Sequence, residues 1–137
     1  MHDFYGLEPR HLGSYEFDRV KVLKGGFEPL LARDVLDDEG RRCLADPYKY
    51  IVRSERELVE AGERDVPIKP HWDPVLKSGV AERVRLVHRL RDLKLVGFRT
   101  RAVSFVGLFF VKKKDDSLRM IVDARGTNRI HRRPPHT

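Results

Sequence analysis

The sequence predicts an α+β fold in which short helices lead into an antiparallel β-hairpin. Three observations carry that expectation. Val80, Val84, Val87 and Leu90 recur at helical spacing, with Ala81 and Leu93 flanking them. From Arg101 to Asp123 the chain turns β-branched and aromatic, broken only by Lys112-Lys113-Lys114-Asp115-Asp116-Ser117, the pattern of two strands and a tight charged turn. Finally, 137 residues that are 40% apolar and 36% charged allow one domain, or a piece of one, around a modest core.

Taken in order, residues 1–27 show no sustained period and contain Gly25-Gly26, so a loosely ordered arm is expected. Residues 28–78 form a helical lead-in and a Pro-rich connector. Glu28-Pro29 before Leu30, Leu31, Val35 and Leu36 reads as a short helix that the acidic cluster Asp37-Asp38-Glu39-Gly40 ends. Tyr48, Tyr50 and Val52 alternate with Lys49, Ile51 and Arg53 as a short extended piece or a loop. Ser54-Glu55-Arg56-Glu57 matches a capping box, predicting a helix over 55–61 that Gly62 stops. Three prolines between Asp65 and Pro74 keep that stretch extended or turned. A helix over 79–96, with Gly97 as its stop, carries Arg83, Arg85, Arg89 and Arg91 opposite the apolar stripe. The hairpin follows over about 101–124. The tail from Arg129 to Thr137, with Pro134-Pro135, cannot continue a central strand.

Charge is unevenly spread. Residues 1–78 hold 13 basic and 16 acidic side chains, a net of −3, whereas residues 79–137 hold 15 basic and 5 acidic, a net of +10. Such a field attracts polyanions such as nucleic acid, nucleotides or an acidic membrane surface. Cys43 alone excludes an internal disulfide framework and fits a reducing compartment. No signal-peptide pattern and no apolar run near the roughly 18 residues of a membrane span is present, so the expectation is an intracellular chain, cytoplasmic or nuclear, with no membrane partner.

The turn concentrates the chemistry. Lys112, Lys113, Lys114 and Arg119 place four cations in a small volume, which repel one another unless a polyanion arrives. If Asp115-Asp116-Ser117 is a three-residue loop, Lys113 faces Arg119; an even-length loop pairs Lys112 with Arg119 instead, because a one-residue slip reverses every face. A lysine point charge beside a planar guanidinium suits a triphosphate. A solvated Lys-rich tip that discourages edge pairing is the bland alternative.

The stretch from Gly107 to Asn128, a hydrophobic strand, a Lys-Lys-Asp turn, then Leu-Arg-x-x-x-Asp-x-Arg-x-x-Asn, resembles the fingers hairpin of retrotransposon-type reverse transcriptases. The following Arg-Pro-Pro-His-Thr is similar to the stretch leading toward their palm. The resemblance implies a partial polymerase domain: an N-terminal fingers fragment over 79–137 that lacks the palm. It implies that Lys113 and Arg119 hold the incoming nucleotide's triphosphate, that Ile121 lies near the templating base, and that Arg125 supports the template strand. Lys112 and Lys114 give electrostatic support. Asp123 and Asn128 match positions that are mainly structural. Template-primer and dNTP are the partners this implies for a complete enzyme, and Mg2+ its metal, held by palm aspartates that do not occur here; the later Tyr-x-Asp-Asp signature is also missing from the sequence. No catalytic or metal-binding residue and no cofactor is therefore assigned to this chain, and it is not expected to polymerise alone.

Other candidates are weaker. His71-Trp72-Asp73 lacks a second ligand at metal spacing, so packing for Trp72 and capping for Asp73 before Pro74 are expected. His131 and His136 read as solvated, and Cys43 as an ordinary thiol. The rival function is a small basic adaptor, without enzymatic ancestry, that binds nucleic acid non-specifically and weakly or docks on an acidic partner. A one-sided hairpin without its palm is expected to be marginally stable.

Overall fold

A computed structural model describes residues 11–22, 28–64 and 68–133. It is α+β: three antiparallel strands and seven helices among the described residues. Strand β2 (Gly107–Lys112) lies between β1 (Leu12–Gly13) and β3 (Leu118–Asp123). Strands β2 and β3 form the expected hairpin, shorter than 101–124 because the residues before Gly107 stay irregular.

Residues 11–22 correct the expectation of a loose arm. Strand β1 pairs with Phe110 and Val111, and Val20 bridges Leu118 on the far edge of β3. The segment between them straps across one face of the hairpin, placing Tyr15 against Phe110 with ring centroids 5.3 Å apart. No hydrophobic period announces this strap, because a two-residue strand and one 3-10 turn (Phe17–Arg19) are too short to show one. The rest of the arm, residues 1–10 and 23–27, lies outside the described residues.

The core forms beneath the strap. Tyr15, Val20, Leu76, Leu86, Leu90, Phe110 and Leu118 are buried together, with Phe17, Val22, Trp72, Leu108 and Met120 packed around them. The Tyr15 hydroxyl is buried there without a hydrogen-bond partner among the described residues, and burial raises its pKa above 10. An unsatisfied buried hydroxyl costs about 1 kcal/mol or more, so Tyr15→Phe is expected to leave stability unchanged or raise it by about 1 kcal/mol in a urea titration. A clear loss would show that the hydroxyl is bonded.

Helix α6 (Val80–Asp92) is the longest, but its buried face differs from the predicted stripe. Of the stripe, Leu90 is buried and Val87 half-buried, and Leu86 is buried beside them, whereas Val80 is 62% and Val84 46% exposed. The arginines decide the rotation. Arg83 donates to the carbonyls of Leu76 and Lys77, Arg89 donates to that of Phe17, and the guanidinium of Arg85 stacks 3.7 Å from the Phe17 ring centre. Of the four arginines expected opposite the stripe, Arg83 and Arg89 are thus half-buried against backbone carbonyls, and Arg85, though exposed, lies over the Phe17 ring. The helix also stops before Val96. Lys94 adopts φ 60° and the Leu95 N–H donates to the Leu90 carbonyl, a Schellman end with lysine where glycine is usual.

Four shorter helices precede α6 among residues 32–60, and one more begins at Pro74. The expected helix near 30–36 is a single turn, α1 (Ala32–Val35). The acidic cluster starts α2 (Asp38–Ala45) instead of ending a helix, because the Asp37 side chain accepts the Gly40 N–H and the acids sit at the favourable end of the dipole. Residues 47–50 are α3 (Pro47–Tyr50), not an extended piece: Pro47 takes the first position and Asp46 caps it. Both halves of the capping box form at α4 (Glu55–Glu60), and Gly62 has φ 69°. Asp73 caps α5 (Pro74–Ser78), a helix inside the predicted connector, whose residues 65–67 lie outside the described residues.

The tail is tied down as far as it is described. Helix α7 (Arg125–Arg129) follows β3, His131 bridges Val52, and the N–H groups of Arg53 and Arg132 donate to the carbonyls of Ile130 and Ile51. His131 is not simply solvated, since its Nδ1 lies 2.7 Å from the Thr127 carbonyl oxygen; His136 lies outside the described residues. No helix among the described residues is long and apolar enough to cross a membrane.

Candidate nucleotide-binding face

The pairing register is Val111 opposite Arg119, Phe109 opposite Ile121 and Gly107 opposite Asp123. Neither predicted register is adopted: Lys112 faces Leu118, and Lys113 faces Ser117, whose carbonyl accepts its N–H at 2.9 Å. The loop is Lys114-Asp115-Asp116, one residue earlier than expected, which shifts the pairing by two. Asp116, not Ser117, takes the left-handed position with φ 65°. A short polar side chain tolerates that conformation, and Ser117 is held back by donating its N–H and hydroxyl to Asp115 Oδ1.

A shift of two preserves the faces. Strand alternation puts Lys113, Arg119 and Ile121 on the side away from the core. Lys113 and Arg119 are diagonal neighbours, about 7–8 Å apart at the backbone, within reach of one ligand for side chains this long. With Val111, Lys112, Lys114 and Asp115 they line an open hollow of about 450 Å³. Lys112 alternates to the core side and Lys114 stands on the tip, so neither opposes Arg119.

Charge at the tip is sorted in space. Asp115 accepts from Lys21 Nζ at 3.0 Å, and Arg19 donates to both the carbonyl oxygen and Oδ1 of Asp116 at 2.8 and 2.9 Å. The strap therefore takes up both turn acids, while the side chains of Lys112, Lys113, Lys114 and Arg119 make no hydrogen bond or ion pair among the described residues. Sequence reasoning missed Arg19 and Lys21. Nothing in the sequence sets them apart from the other basic side chains of residues 1–78, since their partners lie more than 90 residues away.

The Ser117 hydroxyl, then Lys21 and the Ser117 N–H, hold the Asp115 carboxyl far below its ordinary value of 3.8. A folded pKa below the unfolded one adds stability above the unfolded value and loses it as pH falls through the folded one. The tip is thus expected to stay docked on the strap through pH 4 and to release only in stronger acid. Amide shifts of Ser117 and Lys21 against pH report it; release near pH 5 would contradict the geometry.

At the base of the same face, Asp123 is buried. It accepts the His71 N–H at 2.7 Å and a two-pronged fork from Arg125, with Nε and one terminal nitrogen each at 2.8 Å. The Arg125 side chain remains 37% exposed, so part of the guanidinium borders solvent. His71 crosses the face over Gly107 and meets Phe109 edge-on at 5.3 Å. The face is therefore covered at its base and open at its tip. Asp115, Asp116 and Asp123 are engaged by cations and N–H groups, and no cluster of three His, Cys, Asp or Glu that could hold a metal occurs among the described residues. Compared with protein-family models, curated proteins and solved structures, the chain finds no match.

Proposed function

We propose that this chain is the fingers part of a reverse transcriptase-like polymerase, in which Lys113 and Arg119 grip the triphosphate of an incoming nucleotide. One observation carries the reading: two cations of different geometry, neither paired among the described residues, share the open end of one hairpin face, while Arg19 and Lys21 take up the charge of the turn acids, Asp115 at the rim of the same hollow included. Lysine neutralises an outer phosphate as a point charge and arginine forks onto non-bridging oxygens. Ile121, next along the face, offers an apolar contact toward the base, and Arg125 borders the template path. Lys112 and Lys114 raise the local anion concentration without contact. The chain's part is to bind and orient, since the carboxylates that drive nucleotidyl transfer are not among these residues.

Titrating the protein with a dNTP, followed by amide shifts, tests it. Perturbations are expected at Lys113, Arg119 and Ile121, and Lys113→Glu with Arg119→Glu should abolish them. Shifts spread evenly over all basic residues, equal for dNTP and inorganic phosphate, would favour the rival non-specific adaptor.

A further inference from the structure

A second surface is built differently. Between Asp92 and Asp115 the chain has no acidic residue and six cations: Lys94, Arg99, Arg101, Lys112, Lys113 and Lys114. Within that window, residues 98–105 run irregularly over the surface. They display Phe98, Val103 and Phe105 at 63%, 71% and 77% exposure, interleaved with Arg99 and Arg101. Neither arginine has a hydrogen-bond or ion-pair partner among the described residues. A side-chain bond of 2.8 Å between Ser104 and Thr127 pins the segment to α7 while leaving both rings outward.

We propose that residues 98–105 bind single-stranded nucleic acid, with Phe98 and Phe105 as stacking faces for unpaired bases and Arg99 and Arg101 neutralising the intervening phosphates. Exposed aromatic faces reward bases that are already unstacked, which a duplex hides, and cations between them follow a phosphate backbone. An apolar protein partner is a poorer occupant, because closing it over the segment would bury two guanidiniums that have no counter-charge. The inference goes beyond the nucleotide clamp and uses none of its residues.

Fluorescence anisotropy of a labelled oligothymidylate, with the full chain across a salt series, tests it. Each of Phe98→Ala and Phe105→Ala is expected to weaken binding roughly tenfold, and both together roughly a hundredfold. Arg99→Gln and Arg101→Gln should each lower the log–log salt slope by about 0.7. The rings are solvent-facing, so an unchanged circular dichroism spectrum and melting temperature are expected for all four variants. Lys113→Glu with Arg119→Glu should spare a substantial part of strand binding, whereas the double Phe variant should leave dNTP shifts intact, so the two proposals fail separately. Strand binding unaffected by the double Phe variant, equal affinity for a duplex, or Phe-dependent self-association without oligonucleotide binding would each overturn the inference.

Discussion

Gly107→Ala is expected to lower the unfolding free energy by about 3 kcal/mol, the upper end of typical core overpacking. A Cβ at Gly107 would lie 1.9 Å from the His71 carbonyl oxygen and 2.7 Å from its carbonyl carbon. Those atoms are backbone and cannot rotate aside. They are also fixed from both sides, because the His71 N–H donates to Asp123 at 2.7 Å and the Asp73 N–H donates to the Leu108 carbonyl at 2.7 Å. Moving His71 away breaks these bonds and loosens the Asp73 cap of α5, whose Leu76 is fully buried. Urea denaturation checks this; a loss below about 1 kcal/mol would mean that the crossing is not as close as described.

Asp123→Ala is expected to cost about 2–3 kcal/mol, below the range for a pair buried on both sides because the Arg125 guanidinium can turn to solvent. The carboxylate accepts from the His71 N–H and twice from the Arg125 side chain, so removing it takes away three hydrogen bonds at a buried acceptor. Asp123→Asn, which still accepts one of these bonds, should lose clearly less. Equal losses for Ala and Asn would show that shape, not the acceptor oxygens, matters here. Both substitutions act at the base of the face whose open end carries Lys113 and Arg119, so partial unfolding there should also blunt nucleotide binding.

How far the sequence could be read depended on the range of the interaction. The capping box at Ser54 and the β-hairpin are local, written in residues three apart or in alternation, and both were legible. Asp73 was legible as a cap because proline follows it, but its third bond, to the Tyr15 N–H 58 residues away, was not. The α6 stripe held only in its second half for a physical reason: valines at 80 and 84 keep helical spacing whether or not anything covers them, while Leu90 of the stripe, with the unpredicted Leu86, joins Leu76 and Phe110 in the core. The strap was illegible because its order comes from strand edges and turn acids distant in sequence. At the candidate site, the observed register lies two residues from the three-residue-loop alternative, so Lys113 and Arg119 keep the shared face which that alternative gave them and the even-length one did not. The loop position did not survive, because Asp116 rather than Ser117 accepts the left-handed conformation.

The convergence of Lys113 and Arg119 on one triphosphate is tested most directly by a double-substitution cycle on dNTP affinity. Lys113→Ala and Arg119→Ala should each weaken binding roughly tenfold or more, and the double variant should lose less than the product of the two, the mark of residues serving one ligand group. Losses that multiply, or an affinity indifferent to either substitution, would contradict a shared grip on the nucleotide.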